Sequence, residues 1–407
     1  MLKFSEDFEA RREKLNALVK ESVGKEDENI LKVLYSVTNI ENYHEDESKL
    51  EGVNGTYFKD LETKDLLKQF TKEVFNGKGN RYYEELFQEI YNRQTKFSNY
   101  EPRYVVEVSG EEGTTNGFMR HGTNMLNING GMIEKYKKVD EFNENNTDRK
   151  NANTIGAHSL LTLIHETQHT FQSEGMMKFA LNEEKNEHDR MRNAICLARM
   201  SLIYYINSDD VDLENPEVKE IQDLVRNNYW FDYMEHDSNM APIKFLNRQI
   251  KNGNLPDKVF IKAGRQRVKN DIHINKVLDE KEIPETLKER AEKMEQIVKG
   301  YQKYFSKVMK DGEIKNQVCG VLNDCLNQDQ NGKSKFAKSL NEDFNMCLDY
   351  IAYANKVAPE NDSKLSDFKA SNLNNAPRKY RIVKPTNRIL KVKNAKRINK
   401  EDELTNI

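Results

Sequence analysis

LLTLIHETQHTFQ, residues 160–172, decides how the rest of the chain is read. Its apolar positions recur with a helical period, and it carries His165, Glu166 and His169 in the order His-Glu-x-x-His. Residues four apart on an α-helix stand one above the other, so both imidazoles reach a single metal ion. Glu166 sits about 100° further round the helix. From there its carboxylate can take a proton from a water at that metal and pass it to a leaving amine. The pattern therefore predicts a Zn2+ site and hydrolysis of a peptide bond.

The flanking residues fit a helix half sunk in a domain. Asn153 or Thr154 supplies a cap, and Leu160, Leu161, Ile164 and Phe171 form one apolar stripe that the two histidines flank. His158 lies seven residues before His165 on the same face, as a neighbour of the metal site or as a capping or surface histidine.

A catalytic zinc has three protein ligands and an open fourth position, so a further donor is required. The continuation HExxHxxGxxH needs Gly at 172 and His at 175, whereas this chain has Gln172 and Gly175, which excludes the metzincin arrangement. The segment NYWFDYMEHDSNMAP, residues 228–242, instead contains Glu235, Ser238 and Asn239 in the pattern E-x-x-[SA]-[ND]. Glu174, Glu187 and His188 compete with Glu235 on residue type alone.

With these residues the chain resembles the gluzincin-type zinc metallopeptidases, thermolysin-like in the broad sense. The resemblance spans the catalytic helix, the strand before it and the second helix. It implies that His165, His169 and Glu235 are the metal ligands and Glu166 the general base. It also implies that Asn239 accepts a hydrogen bond from the free ring nitrogen of a ligand histidine, an amide where a carboxylate often stands. The stretch between His169 and Glu235 is long for the group. It is expected to hold an inserted helix over roughly 182–207 that shapes one wall of the cleft, with the ligand helix beginning near Pro216. The oxyanion of the tetrahedral intermediate needs a donor besides the metal. Tyr233 and His236 are the candidates, with Tyr229, although at least one tyrosine of this aromatic run should pack in the core.

Upstream lies the β region. Residues 104–108 (YVVEV) form a β-branched run ended by the turn-rich GEEGTTNG, and residues 125–129 (MLNIN) form a second strand ended by Gly130 and Gly131. The resemblance implies that the strand at 124–129 pairs with an extended substrate; a plain scaffolding hairpin is the alternative. Arg120 and His121 are the polar residues of the connection expected to reach the cleft.

The 407 residues suggest two or three units of about 100–200 residues each. The expected fold class is α+β and mostly helical: a zincin-like core with a small sheet, flanked by helical regions. The divisions are a helical region over 1–100, the catalytic region over 101–252, a second helical region over 253–360 and a basic tail over 361–407. Helices are expected near 5–22, 28–38, 61–76 and 80–98, and again from Pro284 to about Ala358.

Lys+Arg of 64 against Asp+Glu of 67 leaves a net charge of −3, so no overall field draws the protein to nucleic acid or membrane. No segment reads as a membrane span or secretory signal, and four scattered cysteines suit reduced thiols, which predicts a cytoplasmic setting. Between Asp367 and Glu401 the tail has no acidic residue and accumulates Arg and Lys, a composition suited to weak nucleic-acid contact or to a solvated tail. The reading is thus a zinc endopeptidase acting on a protein or peptide substrate. Its competitor is a non-catalytic binding protein on a zincin scaffold, using its helical flanks or tail; Glu166 argues against it, because a structural metal site has no use for a base.

Overall fold

The computed structural model describes residues 6–38, 55–98, 104–109, 116–119, 125–139, 154–209, 211–272 and 285–359. In chain order the elements are α1 (Glu6–Ser22), α2 (Glu28–Thr38), α3 (Thr63–Lys68), α4 (Lys72–Phe75), α5 (Asn80–Ser98), β1 (Val105–Ser109), β2 (Gly117–Met119), β3 (Met125–Asn129), α6 (Gly130–Val139) and α7 (Ile155–Ala180). They continue with α8 (Glu187–Ile206), α9 (Pro216–Arg226), a 3-10 turn (Tyr229–Phe231), α10 (Tyr233–Lys251), α11 (Lys258–Asp271), α12 (Glu285–Val308), α13 (Glu313–Leu326) and α14 (Lys335–Val357). The fold is α+β and mostly helical, with one small mixed sheet.

The long helix α7 lies at the centre. Its stripe residues Leu160, Leu161 and Ile164 are buried, but so are residues on its other faces, including Ser159, Thr162, Glu166, Thr170 and Gln172. The sequence suggested a half-sunk helix because Thr, Gln and Ser read as polar. These side chains instead turn back to nearby carbonyls or bond to neighbouring helices: Thr167 Oγ1 donates to Leu163 O and Thr170 Oγ1 to Thr167 O, both at 2.7 Å. Thr154 precedes the first turn without a side-chain capping bond. Close approaches fix the helix at two glycines. A Cβ at Gly156 would lie 2.2 Å from Phe70 O, and one at Gly175 would lie 2.1 Å from Asn193 Oδ1 on α8. The first contact accounts for the break of the expected 61–76 helix into α3 and α4, since the carbonyl at Phe70 is turned toward α7.

Later helix starts are set by their caps. Asn186 accepts from His188 N and Asp189 N before α8, Asn215 accepts from Glu217 N before Pro216, Asp232 accepts from Met234 N before α10, and Asp257 accepts from Val259 N before α11. The ligand helix therefore begins at Tyr233, not near Pro216, which opens the separate helix α9. The expected insertion is α8, but it is a core helix rather than a cleft wall: Ala194 through Ala198 are all wholly inaccessible.

The sheet order is β1-β3-β2, with β1 parallel and β2 antiparallel to β3. This is not the two-strand hairpin read from sequence. β2 was missed because three residues beside a glycine-rich turn carry no periodic signal. β3 is the central strand and cannot pair with a substrate. The outer side of β1 is closed by α5: Gln88 Nε2 donates to Tyr104 O at 2.8 Å, and its Oε1 accepts from Val106 N at 2.9 Å. Glu84 Oε1 accepts from Val108 N at 3.2 Å. β2 is thus the edge strand among the described residues. Asn129 N donates to Asn116 O at 3.0 Å, and alternation then directs the backbone groups of Gly117 and Met119 away from β3.

Residues 1–359 form one compact unit, and one hydrophobic core runs through it from Leu15 to Ala358. The segments 1–100, 101–252 and 253–359 all contribute to that core. Arg120, His121 and the basic tail lie outside the described residues. No helix among the described residues is long and apolar enough to cross a membrane.

Candidate metal centre

α7 and α10 pack together so that His165, His169 and Glu235 converge, their donor atoms all within 4.8 Å of one another. His165 Nε2 lies 3.6 Å from Glu235 Oε2, and His169 Nε2 lies 3.8 Å from Glu235 Oε1. Tetrahedral zinc with bonds near 2.05 Å separates its ligand atoms by about 3.4 Å, so small side-chain adjustments complete the set. Glu235 Oε2 is buried without a hydrogen-bond donor, which also fits an oxygen able to ligate a cation. No other group of His, Cys, Asp and Glu donors meets this geometry among the described residues.

Glu235 occupies the third position of α10, after the Asp232 cap, where the chain enters the helix beside α7. Burial pushes its carboxyl up, but the two imidazoles and a hydrogen bond from Tyr229 outweigh burial and bring it down to about 2. It is therefore ionised at neutral pH. Glu166 behaves oppositely: burial raises its carboxyl, with His165 and His169 only partly opposing. A buried carboxyl with a raised pKa is chemically suited to exchanging a proton. Burial lowers His169, but the charges of Glu235 and Glu166 and the Gln172 hydrogen bond outweigh it and raise its affinity for a proton.

The free nitrogen of His169 is held by residues that the sequence reading did not assign. Its Nδ1 lies 2.9 Å from Gln172 Oε1 and 3.1 Å from Ser238 Oγ. Gln172 is itself locked, because its Nε2 donates to Met234 O and to Asp237 Oδ2, both at 2.9 Å. Gln168 Nε2 donates to the same Asp237 oxygen at 2.8 Å. This lattice joins α7 to α10 and fixes the distance between the histidines and Glu235. Asn239, the expected partner, does not fill this role: Ser238, one residue earlier on α10, faces His169. Gln172 had drawn notice only as the residue that breaks the metzincin pattern.

Tyr233 and His236 stand away from the cluster. Tyr233 is 1 % exposed and packs edge-on against Phe336 of α14. His236 is equally buried, with Nε2 3.1 Å from Asp343 Oδ2 and its ring against Phe344. Both side chains attach α10 to α14, because the first turn of α10 has one face toward α7 and the opposite face toward α14. Tyr229 is the tyrosine that reaches the site, through its hydrogen bond to Glu235. Among the competing ligands, Glu174 is buried against Arg11 and Lys178, at 3.2 and 3.1 Å. Glu187 pairs on the surface with Lys335, and His188 opens α8.

The remaining walls come from β2 and α11. A Cβ at Gly117 would lie 3.2 Å from Glu166 Cγ and 3.0 Å from Thr162 Cγ2, so the edge strand runs beside Glu166. On α11, Arg267 Nη1 donates to Thr162 Oγ1 at 3.4 Å, and Arg267 Nε lies 3.6 Å from Asp271 Oδ2. Burial raises Asp271 to about 6 against the opposing charges of Arg267, His165, Arg290 and His236. Sequence reading closed the catalytic region at residue 252 and so left α11 out. Compared with known protein families, curated proteins and solved structures, the chain matches none.

Proposed function

We propose that this protein is a zinc-dependent metallopeptidase with a zincin-like core, in which His165, His169 and Glu235 hold Zn2+ and Glu166 is the general base. The observation that carries the reading is the convergence of those three donors beside a buried carboxylate on the same helix as the histidines. When bound, zinc supplies Lewis acidity toward a carbonyl oxygen and lowers the pKa of water.

The chain's own residues account for the rest. Glu166 takes the proton of the attacking water and delivers it to the leaving nitrogen, which a carboxyl raised by burial does more readily near neutral pH. Tyr229, beside Glu235, is the hydroxyl donor available to the carbonyl oxygen as charge develops there. The outward backbone groups of Gly117 and Met119 receive an extended protein or peptide chain by strand addition, next to Glu166. Pairing with the main chain along an edge strand favours internal cleavage over trimming of termini.

The test is hydrolysis of a degenerate library of fluorogenic peptides by wild type and Glu166→Gln, both loaded with zinc. Cleavage by wild type that falls about 100- to 10,000-fold in the variant is expected. Equal rates in the two proteins, or no cleavage by the zinc-loaded wild type, would overturn the assignment of Glu166 as base.

A further inference from the structure

The two histidines are supported unequally. His169 Nδ1 has Gln172 and Ser238, whereas His165 Nδ1 is buried with no hydrogen-bond partner. Such an atom is costly, and in a metal-bound histidine it is the nitrogen that carries the proton once Nε2 is taken by the metal. It needs an acceptor, and Asn239 does not supply one.

A second orphan lies close enough to interact electrostatically with His165. Asp271 Oδ2, on the last turn of α11, is also buried without a hydrogen bond. Its nearest cation, Arg267 Nε at 3.6 Å, is beyond hydrogen-bond distance and is unsatisfied itself. α11 packs on α7 where Arg267 contacts Thr162; Asp271 lies one turn from Arg267 on α11, and His165 lies one turn from Thr162 on α7. Among the described residues, Glu235, Glu166 and Asp271 are carboxylates that interact electrostatically with His165. Only Asp271 is without a role.

We infer that Asp271 is the positioning residue for His165, its Oδ2 accepting a hydrogen bond from Nδ1–H and thereby fixing the ring with Nε2 toward the metal. The inference rests on the metal-site reading above. In the structure the two atoms are not hydrogen-bonded, so the pairing requires their side chains to reorient. Metal ligation favours it, because it pins the proton on Nδ1 and makes that N–H a stronger donor. The support a zinc peptidase requires one turn beyond its carboxylate ligand is here delivered from a different helix, which leaves position 239 open to an amide.

The test is the zinc dissociation constant, by competition with a chromophoric chelator, for wild type, Asp271→Ala, Asp271→Asn and Asn239→Ala, each checked for folding by circular dichroism. A positioning role predicts that Asp271→Ala weakens zinc about 10- to 100-fold, that Asp271→Asn weakens it less, and that Asn239→Ala binds as wild type. The same role predicts that in zinc-loaded wild type the His165 Nδ1 proton resonates far downfield and that it moves upfield in the isosteric Asp271→Asn. A folded Asp271→Ala with wild-type affinity, or a His165 proton unmoved in Asp271→Asn, overturns this role alone. Failure of wild type to bind zinc overturns the metal site and this role together.

Discussion

Gln172 shows how much of the site is decided by a single side chain. It is wholly inaccessible, its oxygen meets His169 and its nitrogen bridges to Met234 O and Asp237 on α10. Gln172→Ala removes the acceptor at His169 and strands buried groups on α10. We expect a loss of about 1–3 kcal/mol in stability and a zinc affinity about 10- to 100-fold weaker, read by chemical denaturation and chelator competition. A variant with unchanged affinity would show that Ser238 alone orients His169. At this scale the sequence was most legible where spacing encodes chemistry: His165, Glu166, His169 and Glu235 are brought together as the motifs suggested. It was least legible where a role depends on direction. Tyr233 and His236 lie as near Glu235 along the chain as any residue, yet the turn of α10 points them at α14.

At the scale of elements, α7 is held by contacts that tolerate little change. Gly156 meets the backbone of Phe70 so closely that a methyl group forces the α3–α4 connection aside. Gly156→Ala should lower stability by about 1–3 kcal/mol in thermal or urea denaturation, and an unchanged midpoint would contradict the tight approach. His158, near the start of α7 and facing Arg267, is held neutral by burial, its pKa lowered to about 4 from 6.5. The folded state therefore binds fewer protons than the unfolded chain between those values. Its contribution is complete above pH 6.5 and is lost as the pH falls toward 4, by at most about 3 kcal/mol. His158→Gln should lose less stability than wild type between pH 7 and pH 5, and parallel pH profiles would refute this account. Most helices were legible because their apolar positions repeat and Asn, Asp or Ser stands at their starts. Two of the sheet's strands were legible as well, but their arrangement was not, since parallel pairing of β1 with β3 joins residues whose partnership no local pattern records.

Across the whole molecule, the expected division into flanks and catalytic region dissolves into one core. The reason is visible at α1, where Arg11 reaches Glu174 and Glu183 at 3.2 Å each, tying the first helix to the end of α7. Glu174 is only 1 % exposed in its side chain, and burial pushes its carboxyl up. Arg11→Ala leaves Lys178 as its sole partner and should cost about 1–2 kcal/mol, less than a fully buried pair because Arg11 is a quarter exposed. Composition could not reveal this unity, since charged helices that wrap a core and charged helices that stand apart have the same sequence statistics. Metal binding nonetheless depends on three side chains, and the decisive measurement is the zinc content of wild type and Glu235→Ala purified in parallel without chelators. About one zinc per wild-type chain, with marked loss in the folded variant, is the expected result. Wild type free of zinc, or a Glu235→Ala chain that keeps it, would contradict the account.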